Sequence, residues 1–472
     1  MKILLVNPSN SAVYGKPMVP YPPLGMLYVG AVLEKEHKVS LYDYDVDIHT
    51  DRELRHVISS ENPDAVGLTS SATSIKSCRE IALAVKEHDK DIPTILGGIH
   101  ATMNPDKCID MPNFDFIVRE EAEYTILNLI NRLNDKNFDE VKGIWYRKNG
   151  EVVMNPAAGK IMNLDELPFP ARHLIRNPDG YHPIDAIRMP VTPMMTSRGC
   201  PELCNFCCTK NNLGLMFRSR SPENVVAEME HCIEKYGIRE IHICDDVFTL
   251  SKARVIKIRD LMKERKIDLT LILTNGVRAD QVNKEVLLAL KDMGLHSLAY
   301  GCESGNQAIL DHLKKRLKLD TVREAYRLAK EVGLTTYAFF IIGHVGETKK
   351  TINDTIRFAK EIDADFPKFY ILKPYPNSDV WRELDAMGCI DNYDYENYGL
   401  YAKPVHHLPD LTAEDMINAE RMAYRKLYLR PTRMWRYLKR IKSLEQFKIE
   451  FGSAIFVLKQ AGVIPDFLYK TV

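Results

Sequence analysis

Short apolar runs alternate with helical stretches over the first 135 residues. Residues 24–36, for example, repeat their apolar positions with a helical period. The apolar runs that predict buried strands are residues 3–6, 39–42, 65–69, 94–96 and 114–118. Strands that alternate with helices in this way form doubly wound parallel sheets. We therefore predict an α/β fold in which residues 1–135 form a Rossmann-like domain.

A proline-rich stretch separates this region from a second one with the same alternation. Residues 155–185 contain five prolines and few long apolar runs, which predicts a linker over residues 136–188. Strand–helix alternation resumes over residues 189–390, and residues 391–472 predict a small, mainly helical C-terminal region. The strands predicted in the second region are residues 191–196, 240–244, 269–274, 297–301, 336–342 and 368–372.

Composition favours a cytoplasmic enzyme. The 64 basic and 64 acidic side chains cancel, so no overall charge attracts nucleic acid. Ten cysteines, three of them clustered, are typical of a reducing compartment. No segment reaches the roughly 20 apolar residues of a membrane span, and the apolar run at the N-terminus is too short for a signal peptide. We expect a cytoplasmic protein without a transmembrane segment.

Three cysteines carry the strongest chemical signal. Cys200, Cys204 and Cys207 have the spacing C-x-x-x-C-x-x-C, and three thiolates that hold a four-iron cluster leave one iron without a protein ligand. An open coordination position is typical of catalytic metal sites. Gly199 and Pro201 break regular structure, which predicts a loop just past the end of a strand. The alternative, a zinc site, requires a second Cys or His pair that the sequence does not offer.

This spacing resembles that of the radical S-adenosylmethionine (SAM) superfamily. The resemblance implies a partial (β/α)6 barrel over residues 189–390. It also implies a [4Fe-4S] cluster that binds SAM through its amino and carboxylate groups and cleaves it reductively to a 5′-deoxyadenosyl radical. A flavodoxin- or ferredoxin-type protein would supply the electron.

The resemblance also implies which residues contact SAM. Phe206 matches the adenine contact, and Glu303 lies where the family binds the ribose hydroxyls. Asp245 and Asp246 lie where it binds the methionine amino group. The remaining matches are Asn275, Arg278, which would pair with the SAM carboxylate, and Gly343, which opens a glycine-rich turn. Alternatively, the three acidic residues cap the helices that follow them.

The first domain resembles cobalamin-binding domains. There, a Ser or Thr after one strand and a Gly-Gly pair after the next contact the nucleotide tail and the corrin, which implies these roles for Ser70, Gly97 and Gly98. Alternatively, the glycines form a tight strand-to-helix turn of any flavodoxin-like domain. The motif D-x-H-x-x-G, which places a His beneath the cobalt, is absent, and we interpret His49 as a solvated loop residue.

Together these resemblances imply a cobalamin-binding radical SAM enzyme. The leading hypothesis is C-methylation, in which the deoxyadenosyl radical removes a hydrogen from an unactivated carbon and methylcobalamin supplies the methyl group. One alternative is a cyclisation, rearrangement or oxidation without methyl transfer. Another is a non-catalytic sensor that binds cobalamin or the cluster. The substrate would be a small molecule of apolar or lipid-like character, and no catalytic side chain is assigned.

Three further features receive interpretations. Cys208, Cys244 and Cys302 are expected to be small buried residues rather than ligands, and His344 is expected to be structural. The basic, aromatic stretch at residues 424–440 predicts a helix that lines the substrate pocket or lies on a membrane surface. The favoured alternative for that stretch is a packed helix with one solvated face.

Overall fold

One mainly parallel sheet and one fully parallel sheet form the framework of the chain. The computed structural model describes residues 1–10, 21–183, 185–433, 435, 454–455 and 457–464. The first sheet contains β1 (Lys2–Asn7), β2 (Lys38–Asp43), β3 (Ala65–Thr69), β4 (Thr94–Gly97), β5 (Phe116–Val118), β6 (Ile144–Lys148) and β7 (Glu151–Met154). The helices associated with it are Leu24–Leu33, Asp51–Glu61, Ile75–His88, Gly98–Met103, Pro105–Ile109 and Glu123–Asn131.

The first sheet is doubly wound, as predicted. Its strand order is β2-β1-β3-β4-β5-β6-β7, and β1 to β5 are parallel. Leu4 and Val6 of β1 belong to one core cluster, while Ile3 and Leu5 belong to a second cluster. Successive side chains of a strand point to opposite faces, so β1 is buried on both faces by the flanking helices. This burial explains its uninterrupted apolar run.

An antiparallel hairpin extends this sheet into the predicted linker. Strand β6 pairs with β5 and with β7, so the sheet continues to Met154, beyond residue 135 where the sequence predicts that the linker begins. Asn149 and Gly150 connect the two strands with φ angles of 54° and 86°. An Asn-Gly pair is the strongest short hairpin signal, because both positions of the favoured turn require positive φ.

The second region forms the predicted partial barrel. Its strands are β8 (Val191–Met194), β9 (Ser197–Arg198), β10 (Arg218–Ser219), β11 (Glu240–Ile243), β12 (Thr270–Leu273), β13 (Leu295–Glu303), β14 (Thr335–Ile342) and β15 (Phe366–Ile371). Its helices are Thr209–Asn212, Pro222–Tyr236, Lys252–Glu264, Lys284–Asp292, Gln307–His312, Leu319–Val332, Lys349–Ile362 and Asp379–Ala386. Six strands form one parallel sheet in the order β15-β14-β13-β12-β11-β8, while β9 and β10 form a separate antiparallel ribbon.

Strands β8 and β15 are the two edges of the barrel sheet. The edge position of β8 explains how a strand tolerates Pro193, which has no N–H to donate to a second neighbour. Along β14, Ala338 and Phe340 pack in the core against the surrounding helices. Tyr337 and Phe339 alternate with them and are half-buried, so they face the barrel interior.

The C-terminal region packs one helix, Ala413–Tyr428, against the barrel. Tyr428 donates a hydrogen bond to the Pro367 carbonyl at 2.9 Å, and the rings of Tyr424 and Tyr428 stack at 5.7 Å. The first part of the stretch 424–440 is therefore packed, in agreement with the favoured interpretation, while residues 434 and 436–440 lie outside the described residues. Among the described residues, no helix has the length and apolarity that crossing a membrane requires.

Candidate active site

The three cysteines lie on a loop that leaves the barrel after β8 and is bracketed by β9 and β10. Gly199 has a φ of 85°, and a Cβ there would lie 2.2 Å from the Met216 carbonyl oxygen, so this position requires glycine. The Cys200 amide then donates to the Gly214 carbonyl at 3.1 Å. The loop past a strand end is therefore as predicted, and its backbone is fixed by contacts within the loop. We call residues 199–217 the cluster loop.

Burial disfavours the thiolate form of two of the cysteines, and nearby cations oppose this effect at one of them. Burial raises the pKa of Cys200 to about 11 and also raises that of Cys204, where the positive charges of Lys315 and Arg278 oppose the effect. Among the described residues, no three His, Cys, Asp or Glu side chains converge as a single metal ion requires. A four-iron cluster differs, because each thiolate binds a different iron.

A cavity of about 610 Å³ separates the cluster loop from the first sheet. It lies at the carboxyl ends of the parallel strands, where doubly wound folds bind ligands. The first domain contributes Asn7, Asn10, Tyr21, Pro23, Asp45, Ser71, Ala72, Thr73, Ile99, His100, Met103 and Asn104. The opposite wall consists of Phe206, Cys207, Cys208 and Thr209 from the cluster loop and Tyr375 and Pro376 beyond β15.

Asp245 and Asp246 occupy different environments, although the sequence suggests one role for both. Asp245 accepts hydrogen bonds from the Thr196 amide at 2.6 Å and from the Thr196 and Ser197 hydroxyls at 2.5 Å. Both of its oxygens are thus occupied, and it anchors the chain between β8 and β9. Asp246 accepts one hydrogen bond from Thr209, and its Oδ2 is buried without a partner. Burial raises the pKa of both carboxyls.

Glu303 forms a buried ion pair that the sequence does not reveal. Its Oε1 lies 2.7 Å from Nζ of Lys315, and both side chains are less than one-tenth exposed. Glu303 has a φ of 60°, a conformation that a non-glycine residue adopts only when its surroundings enforce it. The Lys315 ammonium also lies 6.0 Å from the centre of the Phe206 ring. These contacts join the fourth barrel strand to the cluster loop.

The remaining predicted SAM contacts lie around the same end of the barrel. Arg278 bonds to Asp280 at 2.8 Å and pairs with Glu202 of the cluster loop at 3.6 Å. Asn275 is exposed and donates to the Cys244 carbonyl at 2.8 Å. Gly343 has a φ of 98°, and a Cβ there would lie 2.6 Å from Sδ of Met416, so packing as well as conformation requires glycine.

Known proteins match both halves of the chain. The profile of the Radical SAM superfamily matches residues 194–359, and that of the B12 binding domain matches residues 11–130. A protein from Pyrococcus horikoshii named as an uncharacterized methyltransferase is 32% identical over 91% of this chain and 93% of its own length. This chain belongs to the cobalamin-binding radical SAM family. Membership confirms the predicted class of enzyme and its cofactors, which are a [4Fe-4S] cluster, SAM and cobalamin.

Two further relatives and one solved structure extend the comparison. Cytidylyl-2-hydroxyethylphosphonate methyltransferase from Streptomyces wedmorensis is 29% identical over 87% of this chain and 86% of its own length. The anaerobic magnesium-protoporphyrin IX monomethyl ester cyclase of Rubrivivax gelatinosus is 27% identical over 91% and 78%. The cobalamin-dependent radical enzyme OxsB has the same fold, with a TM-score of 0.77 at 19% identity over 98% of this chain and 72% of that one.

Ser70, Gly97 and Gly98, which the resemblance assigns to cobalamin, lie beside the cavity and make contacts within the protein itself. In this member of the cobalamin-binding radical SAM family, the hydroxyl of Ser70 donates to the Gly97 carbonyl at 2.7 Å, and Ser71 lines the cavity in its place. Neither Gly97 nor Gly98 lines the cavity. A Cβ at Gly98 would lie 2.4 Å from the Ser70 amide nitrogen, so this glycine accommodates its own protein backbone. Gly98 thus meets the steric demand of a tight turn, and contact of these three residues with cobalamin stays a prediction.

The histidines and the remaining cysteines near the site differ in how deeply they are buried. His49 is an exposed loop residue, as predicted, whereas His100, which the sequence did not single out, lines the cavity. Burial lowers the pKa of His100 to about 4, so its imidazole is neutral. Cys302 is buried as expected, while Cys208 and Cys244 are half-buried. His344 is fully buried against the Phe206 ring, with 5.9 Å between ring centres.

Replacing Cys200, Cys204 or Cys207 by Ala should abolish cluster binding and SAM cleavage while the chain stays folded, because both sheets have cores independent of the loop. Iron content and 5′-deoxyadenosine formation after anaerobic reconstitution measure the two effects. Cys208→Ala is the matched control and should retain both. A full iron complement in any of the first three variants would contradict the ligand assignment.

Asp246→Asn and Asp245→Asn should separate two roles. Asp246 has an unpaired oxygen, so its amide variant should fold normally but bind SAM about tenfold more weakly, as loss of one charge-assisted hydrogen bond predicts. Asp245→Asn should instead lower the thermal unfolding midpoint, because that carboxylate holds Thr196 and Ser197. Calorimetric SAM titration and thermal denaturation test the pair. Equal SAM affinity in wild type and Asp246→Asn would remove Asp246 from the SAM site.

Gly98→Ala should destabilise the first domain by more than about 1 kcal/mol, because Gly98 has a φ of 92° and its Cβ would meet the Ser70 backbone. Gly97→Ala is the control, since the nearest atoms to a Cβ there lie 3.8 Å away. Chemical denaturation of the two variants should therefore differ. Similar stabilities would show that the backbone does not select glycine at residue 98.

Proposed function

We propose that this enzyme methylates an unactivated carbon of a small molecule. The observation that carries the proposal is the single cavity that has the first domain on one side and Cys207 with Thr209 of the cluster loop on the other. A methyl donor on the first domain and a radical source at the cluster would then face each other across one cavity. Such an arrangement suits a reaction that uses both cofactors in one catalytic cycle.

The lining of the cavity fits cobalamin chemically. Amide and hydroxyl side chains such as Asn7, Asn104 and Thr73 suit the amide groups at the edge of a corrin, while Ile99 and Met103 suit its apolar faces. When bound, cobalamin supplies a transferable methyl group. His100 is the histidine among the described lining residues, and its Nε2 is buried without a hydrogen-bond partner.

The residues near the cysteines support SAM binding. The free Oδ2 of Asp246 suits the methionine amine, and the paired Glu303 and Lys315 suit the ribose hydroxyls and the carboxylate. Phe206 contributes a ring that lines the cavity beside them. Because Asp246 and Lys315 are supplied by different barrel strands and loops, SAM would be oriented by the fold as a whole.

The barrel interior supports a substrate with a flat, apolar portion. Phe339 and Tyr370 lie edge to face at 6.1 Å, and Tyr370 lies 6.1 Å from Tyr401. Phe339 and Tyr370 are half-buried and alternate with core residues along β14 and β15, and the exposed Tyr401 extends this aromatic wall from outside the strands. Aromatic walls bind flat apolar groups through offset and edge-to-face contacts. We also propose a cytoplasmic location and a flavodoxin- or ferredoxin-type electron donor.

The second candidate is a cyclisation or oxidation that uses the same cofactors without methyl transfer. The magnesium-protoporphyrin cyclase relative, 27% identical over 91% of this chain, supports it nearly as well as the phosphonate methyltransferase relative supports methylation. Both reactions begin with SAM cleavage at the cluster, so the two candidates differ in whether a methyl group leaves a second SAM.

Product analysis should distinguish these candidates. The full chain, reconstituted anaerobically with iron, sulfide and cobalamin, would be incubated with SAM, a reductant and the small-molecule extract of its source cells. We expect 5′-deoxyadenosine and S-adenosylhomocysteine to form together, because methylation consumes SAM in two ways. The first product alone would favour the second candidate. Neither product, or no retained corrinoid, would contradict the proposal.

A further inference from the structure

Four charged side chains are buried where the cluster loop meets the first domain. Arg198 lies in β9, just before the first cysteine, and Arg218 lies in β10, just after the loop. Glu121 and Glu123 follow β5 of the first sheet. All four side chains are at most 7% exposed. The two ends of the cluster loop are therefore held by charges that belong to the other domain.

Glu121 is the centre of this network. Its two oxygens accept hydrogen bonds from Arg218 at 2.7 and 2.9 Å in a bidentate arrangement. Arg198 approaches the same carboxylate at 3.4 Å and bonds to Glu123 at 2.5 Å. The Ile161 amide adds a further bond to Glu121 at 2.7 Å. One side chain thus connects the start of the loop, its end and the linker.

The four buried charges restrict how far the cluster loop can shift relative to the first domain. Burial opposes ionisation of Glu121, but the hydrogen bonds of Arg218 and the charge of Arg198 outweigh it and hold its pKa below the usual range. Removing charges from water is compensated only when pairing is close and well oriented. A shift of the loop relative to the first domain would leave a carboxylate or a guanidinium buried and unpaired. The network therefore permits one relative position of the loop.

This position matters because the two walls of the cavity belong to different domains. Glu121 follows β5 at the same edge of the sheet that lines the cavity, and Arg198 is two residues from Cys200. We infer that Glu121 is a positioning residue that sets the distance between the cluster and the cobalamin. The inference rests on the proposed function, since it assumes that both cofactors are bound.

Magnetic coupling between the cofactors tests this inference without a substrate. In the full chain carrying both cofactors, the cob(II)alamin signal in electron paramagnetic resonance should saturate at higher microwave power when the nearby cluster is reduced and paramagnetic. Dipolar coupling falls steeply with distance, so Glu121→Gln should lose this enhancement while iron and corrinoid contents stay at wild-type levels. A residue needed for folding alone would instead change the cofactor contents.

Glu396→Gln is the matched control. Glu396 pairs with Lys76 of the first domain at 3.3 Å, but this pair is exposed, with side chains 31% and 60% accessible. The same chemical change at Glu396 should leave the magnetic coupling unaltered, because exposed ion pairs contribute little to the stability of a domain contact.

A second variant, Glu121→Asp, keeps the charge but shortens the side chain, so it should also weaken the coupling. Wild-type coupling in Glu121→Gln with both cofactors bound would overturn the inference. Failure of both Glu121 variants to fold would overturn it as well, since Glu121 would then serve folding rather than positioning. Wild-type protein that retains no corrinoid would contradict the proposed function first, and the inference with it.

Discussion

Buried ion pairs between distant parts of the chain determine how the two sheets meet. Glu121 of the first domain forms an ion pair with Arg218, and Glu228 of the barrel forms one with Arg172 of the linker, each at 2.7 Å. All four side chains are almost inaccessible to water. Such pairs are stable only when both partners are in place, because an unpaired buried charge is strongly unfavourable. The first domain, the linker and the barrel are consequently assembled together, and the cavity between them is a product of that assembly.

Much of the fold was predictable because parallel strands covered on both faces must be apolar throughout. The predicted runs of both sheets correspond to observed strands for this reason. The β6–β7 hairpin was missed because its outer positions are polar and its signal is the Asn149-Gly150 turn, which is conformational rather than hydrophobic. The proline-rich residues 155–185 that follow it also led the predicted linker to include the hairpin.

The candidate site was predictable only where its chemistry is local. The predicted cluster ligands all lie on one short loop, so spacing alone identifies Cys200, Cys204 and Cys207. Lys315 was missed because its role depends on Glu303, which reaches it from another element through a tertiary contact. The steric demand for glycine at residue 98 was not predictable, because it arises from the Ser70 backbone. Local motifs cannot distinguish such a steric requirement from contact with a ligand.

Among the described residues, β8 and β15 each have only one neighbouring strand, and this affects the width of the barrel interior. A closed barrel has a radius fixed by its strand number and stagger. Here β8 and β15 are edges, so the sheet can splay or tighten without breaking a ladder hydrogen bond between its strands. The width of the interior is thus adjustable by the segments packed against those edges. Changes in these segments would therefore alter the size of the molecule that the interior accepts, without any change in the cluster loop.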